Sequence, residues 1–225
     1  LLYMISSLGI DPYECQAMFE DIPSIEAKIQ WLRGITSDLQ DNMDFVSTHN
    51  KQILAKNIFA YGQAFEGCMF YALFGMILSL ERQGKFPGIG QMFRYTLRDE
   101  SNHIELLRLL FNELIKENPD IMTDGFKQDL YAIMHQAVLL EDRFIDDCLP
   151  QAGLGLMAHD YKEYIRYCAD RRLVGVGLKV EFNATNKLEW LSEAMDIKKE
   201  ANFFETRVVE YQKSRVLSGF SDDDL

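Results

Sequence analysis

Between Lys56 and Glu81 the chain carries a single charged residue, Glu66, in an otherwise apolar run. Phe59, Phe65, Phe70, Leu73, Phe74, Ile77 and Leu78 populate nearly every side of a helix over 49–82, and a helix of that kind is buried. A chain with such a segment must wrap other helices around it. It must also find a partner for Glu66, because a lone ionised carboxylate is expensive to remove from water.

The rest of the sequence supplies those helices. Helical signals dominate and strand alternation is nearly absent, which predicts an all-α fold. A short helix follows Pro12 as far as Asp21, and Ile22-Pro23-Ser24 opens a second that runs towards Asp44. Gly84, Pro87, Gly88 and Gly90 interrupt the apolar run, and a new helix is expected over 89–116. Further helices are expected over 123–148, 158–177 and 197–211. The acidic end, with Phe220 and Leu225 as apolar anchors, has no helical period and reads as a flexible tail. The predicted organisation is one helical domain over 1–212 followed by a tail over 213–225.

The balance of charge excludes some partners. A formal net charge of −12 disfavours nucleic acid and anionic membrane surfaces, both of which would repel the chain. No uninterrupted apolar stretch reaches the ~18 residues of a membrane span, and the first residues lack a secretory signal. Cys15, Cys68, Cys148 and Cys168 show no paired spacing, which fits reduced, buried thiols in a cytoplasmic protein. The first residue is Leu1, and 1–8 looks like a helix in mid-course with no cap, so the expectation is an amino-terminally truncated sequence from a larger protein.

The chemistry-bearing pattern lies in Leu97-Arg98-Asp99-Glu100-Ser101-Asn102-His103. Glu100 and His103 stand three apart, so on a helix both point the same way and can reach one metal ion. A carboxylate with an imidazole suits iron or manganese better than a thiolate-loving metal. Counting at about 1.5 Å per residue, up the first helix from Glu66 and back down the second to Glu100, leaves the two acids level within roughly two turns. Glu66 therefore has two possible partners, a metal shared with Glu100 and His103 or an arginine such as Arg94 or Arg98. Phe70 and Phe74, one and two turns beyond Glu66, are either ordinary core or lining of the same site.

Taken together, these segments resemble the small, radical-generating subunit of class I ribonucleotide reductase. Phe65-Glu66-Gly67-Cys68-Met69-Phe70-Tyr71 is similar to the family segment bearing a lone metal-binding Glu, and Arg98-Asp99-Glu100-Ser101-Asn102-His103 to its second ligand helix. Residues 164–173 and 202–211 resemble two later family signatures. The resemblance implies a ferritin-like helical bundle and a dinuclear metal centre, Fe/Fe or Mn/Fe, that uses oxygen to make an oxidant. That oxidant would serve ribonucleotide reduction in a large subunit. The wording of 98–103 and the short tail lean towards the chlamydial-type manganese-iron branch.

By the same resemblance Glu66, Glu100 and His103 are metal ligands. Asp99 is a catalytic acid beside them, which hydrogen-bonds a ligand histidine on another helix. Tyr211 relays the oxidising equivalent, and Phe220 and Leu225 dock the tail on the large subunit. The complete protein would be a homodimer. The family's other ligands and its radical residue would precede Leu1, so this chain by itself is expected to be inactive. Two other functions share the pattern: a ligand-binding oxidase of the same superfamily, and a ferritin-like metal-binding protein.

Overall fold

A computed structural model of the protein describes residues 9–11, 14, 21–39, 43, 44, 46–149 and 157–191. Every regular element among them is helical, as the sequence pattern predicts. The expected helices after Pro12 and over 197–211, with Cys15, Tyr211, Phe220 and Leu225 and the 213–225 tail, lie outside the described residues.

Helix α1 spans Pro23–Thr36, opened by a proline at its first position, with Glu26 in its first turn and Arg33 in its last, matching the helix dipole. It stops short of the expected Asp44. Thr36 Oγ1 bonds the Leu32 and Arg33 carbonyls and Ser37 Oγ the Gly34 carbonyl, so hydroxyls compete for the groups that would continue the helix.

Helix α2, Thr48–Phe59, starts at Ser47, whose side chain accepts from the Asn50 amide at 3.2 Å. It passes without a break into a ten-residue π-helix, Ala60–Met69, and then into α3, Tyr71–Arg82. The continuous run Thr48–Arg82 is long and apolar enough by composition to cross a membrane, which corrects the expectation that no stretch qualifies. Its apolar window is 67% buried inside the bundle, so it is a core helix.

Helix α4, Pro87–Glu117, returns alongside it, and a short 3-10 turn, Pro119–Ile121, leads to α5, Asp124–Cys148, capped by Thr123. Helix α6, Ala158–Gly175, completes the described bundle. The π-helix is the hub, with α2, α4, α5 and α6 all packed on it. Phe59, Tyr71, Leu78, Leu97, Phe111, Met134, Ile145, Tyr161 and Tyr164 fill the core between them. Of the described cysteines, all free, Cys68 and Cys168 are buried as expected, but Cys148 is exposed because it ends α5.

The core also holds charge. Glu141 of α5 is wholly buried and forms an ion pair with Lys28 of α1, whose ammonium lies over the Phe144 ring at 3.9 Å. Burial pushes the Glu141 carboxyl up from 4.5 to about 7 although Lys28 draws it down. The folded state therefore binds a proton that the unfolded state releases between those values. Stability from this group is fully present below pH 4.5 and declines as pH rises to about 7, by on the order of 3 kcal/mol. Glu141→Gln should remove that decline. Urea unfolding at pH 5 and pH 8 checks it, since the difference between parent and variant must change with pH.

Candidate metal centre

The π-helix and α4 are held together at the level of the predicted ligands. Gln63, fully buried, donates through Nε2 to the Ile104 carbonyl at 3.1 Å. One residue earlier, Gly62 leaves room for Leu107: a Cβ at Gly62 would collide with Leu107 Cβ and stand 2.8 Å from its Cδ1. Ile104 and Leu107 follow His103 within about a turn, so these two contacts bring the ligand stretch of α4 against the π-helix backbone.

The result is that Glu66, Glu100 and His103 converge. One donor atom from each lies within 4.8 Å of the other two, and no other such trio occurs among the described residues. Glu100 Oε2 stands 3.3 Å from His103 Nδ1. The Glu100 side chain is 15% exposed and that of His103 56%. Glu66 Oε2 is buried with no hydrogen-bond partner. Burial raises the Glu66 carboxyl above its ordinary range, Glu100 adds to the rise, and His103 opposes it.

The arginine alternative for Glu66 is not realised. Arg94 pairs with Glu81 at 2.9 Å, and Arg98 lies 3.9 Å from Asp99. A buried, unpartnered carboxylate oxygen facing a second carboxylate and an imidazole is the donor set a divalent iron or manganese ion takes. The residues present therefore fit such an ion. Phe65, Phe70, Phe74 and Phe93 form an edge-to-face aromatic series beside the Glu66 turn, with centroids 4.8, 6.3 and 6.0 Å apart in that order. The Asp99 side chain points elsewhere and is 61% exposed.

Several residues beyond the predicted set shape the surroundings. Arg172 donates to the Gly67 carbonyl at 3.2 Å and stacks its guanidinium 5.3 Å from the Tyr71 ring. Burial raises the Tyr71 phenol above its ordinary range, and Arg172 opposes that rise. Asp170 accepts from the backbone amides of Glu181, Phe182 and Ala184, so part of the 164–173 signature ties down the segment that follows α6. Glu141 could have been found by the signal that marks Glu66, an acid at the end of the apolar run Ala137-Val138-Leu139-Leu140.

Comparison with known proteins agrees with this geometry. The family model for the ribonucleotide reductase small chain matches residues 2–189. The protein belongs to the ribonucleotide reductase small-chain family. It is 40% identical over 218 residues to the ribonucleoside-diphosphate reductase subunit beta of Chlamydia pneumoniae, covering 96% of this chain and 63% of that one. It is 31% identical to a ribonucleoside-diphosphate reductase small chain of Arabidopsis thaliana, covering 90% of this chain and 53% of the other. The ribonucleotide reductase R2 subunit from Clostridium botulinum superposes with a TM-score of 0.73 at 26% identity, over 86% of this chain and 60% of that one. A putative class I ribonucleotide reductase from Bacillus halodurans shares the fold, with a TM-score of 0.75 at 22% identity over 85% of this chain and 68% of that one. The small-chain fold thus accounts for the described bundle, while the sequence spans less than two thirds of the length of these curated relatives.

Gly62 offers a direct test of how the two helices are held. Gly62→Ala should cost about 1–3 kcal/mol in urea unfolding, because Leu107 sits where the new methyl must go. Ala at the exposed Gly88, where a Cβ would meet nothing within 4 Å, should cost nothing or stabilise.

Proposed function

We propose that this protein serves as the small subunit of a ribonucleoside-diphosphate reductase, providing the oxidant with which a large subunit converts ribonucleotides to deoxyribonucleotides. The observation that carries the reading is the convergence of Glu66, one of whose oxygens is buried and orphaned, with Glu100 and His103 in a member of this family. When bound, a dinuclear centre, Fe/Fe or Mn/Fe, supplies oxygen-dependent one-electron oxidation. The likeness to the chlamydial subunit supports the Mn/Fe choice.

The protein's own residues do the holding. Glu66 offers a carboxylate with one oxygen already removed from water, which gains more from a cation than a fully solvated one. Glu100 and His103, fixed three apart on α4, present oxygen and nitrogen to the same point, and Glu100 orients the imidazole through Nδ1. The aromatic series from Phe65 to Phe93 keeps water from the Glu66 side. In this reading Asp99 is an outward carboxylate that orients a further histidine, and Tyr211 passes the oxidising equivalent onward. The tail docks on the large subunit through Phe220 and Leu225. The complete assembly is a cytoplasmic homodimer. The curated relatives named above carry reductase names, which favours this reading over an oxidase without a large subunit or a storage protein.

Titration of the protein with Co(II), followed by its visible absorption, tests the centre. Glu66→Gln and His103→Ala should each weaken binding at least tenfold with the helical circular dichroism unchanged. Equal binding by parent and both variants would overturn the metal reading. In an assay complemented with the missing amino-terminal portion and a large subunit, Tyr211→Phe should abolish nucleotide reduction and leave metal binding intact, whereas a storage protein would not notice the change.

A further inference from the structure

The backbone just after Glu66 is held by charged side chains from two other helices, neither of which belongs to the ligand trio. Lys28 of α1 donates to the Met69 carbonyl at 3.3 Å, and Arg172 of α6 donates to the Gly67 carbonyl at 3.2 Å. Glu141 of α5 pairs in turn with Lys28. Both contacts fall between residues 67 and 69, where the π-helix ends and α3 begins.

That position is informative. A π-helix bonds each carbonyl to the amide five residues on and an α-helix to the amide four on, so carbonyls lose regular partners where one passes into the other. The Gly67 and Met69 carbonyls, bonded by side chains, lie at this change of register. Gly67 is also tight, since a Cβ there would stand 3.0 Å from both Arg172 Nε and the Gly62 carbonyl.

A buried ion pair is a poor way to gain stability, because a well-packed apolar pair of the same size does as well or better. What such a pair can do is select one register over another. The competing register here is a plain α-helix through 60–69. Sliding by one residue would turn Glu66 by about 100° around the axis and ~1.5 Å along it, away from Glu100 and His103.

We propose that the buried Lys28–Glu141 pair, together with Arg172, holds the π register of Ala60–Met69 and so positions the Glu66 carboxylate opposite Glu100 and His103. These are positioning residues. The proposal rests on the metal-centre reading for its purpose, but the register itself can be measured without metal.

The test compares the full-length protein with the double variant Lys28→Met/Glu141→Gln, which removes both charges together, and with Ile121→Ala, a core change at the 3-10 turn. Amide hydrogen exchange of peptides spanning 60–72 reads the register, and Co(II) affinity reads the ligand. The double variant should fold, exchange 60–72 at least tenfold faster, and bind Co(II) at least tenfold more weakly. Ile121→Ala should lower Tm and leave both readouts unchanged at temperatures well below it. Unchanged exchange in the double variant, or equal losses in Ile121→Ala, would overturn the proposal. If Glu66→Gln does not alter Co(II) binding, the metal reading fails instead, and exchange alone decides the register. Should the double variant not fold, Arg172→Lys, which keeps the charge but shortens the reach to the Gly67 carbonyl, is judged by the same two readouts.

Discussion

Desolvation of one carboxylate organises this molecule. Glu66 sits in the middle of the most apolar helix, where water cannot reach one of its oxygens and no arginine answers it. Such a charge is tolerated only if it is neutralised by a proton or matched by a cation. The fold supplies the geometry for the second solution by bringing α4 against the π-helix, through Gln63 and the missing side chain of Gly62. The result is a site built on two rigid helices, which hold donors more precisely than loops do.

The same logic explains the second buried acid. Glu141 is as desolvated as any group in the bundle, yet it is paired, and its partner Lys28 also bonds the backbone beside Glu66. The two buried carboxylates thus have different fates, one matched within the protein and one left open towards Glu100 and His103. Lys28 and Arg172 bond the carbonyls where the π-helix gives way to α3, beside the ligand-bearing turn.

Much of this was legible from residue order. The lone charge between Lys56 and Glu81 marked Glu66, and the three-residue spacing of Glu100 and His103 set their common face. The expected ranges 89–116, 123–148 and 158–177 fell within about two residues of α4, α5 and α6. The π-helix did not announce itself, because a segment that is apolar on almost every side has no polar face from which to read the period. Lys28 was equally hidden, since a lysine on an amphipathic helix ordinarily faces water and only tertiary packing shows that this one turns inward. The early end of α1 depended on hydroxyls bonding backwards, a choice that Thr36 and Ser37 do not reveal by type alone.

Exposure is graded across the trio, and the gradient has chemical consequences. His103 is more than half exposed, Glu100 is mostly covered, and one Glu66 oxygen is fully removed from solvent. A cation held here would have the imidazole of His103 on its more exposed side and the Glu66 oxygen on its buried side. Glu66, whose Oε2 is out of reach of water, would be the strongest electrostatic partner of a cation held there. Affinity is therefore concentrated in the residue whose position depends most on backbone register. A shift of that one turn would leave Glu100 and His103 in place on α4 and remove the strongest donor. For this reason the π-helix, rather than the ligand pair on α4, is the part of the architecture on which metal affinity most depends.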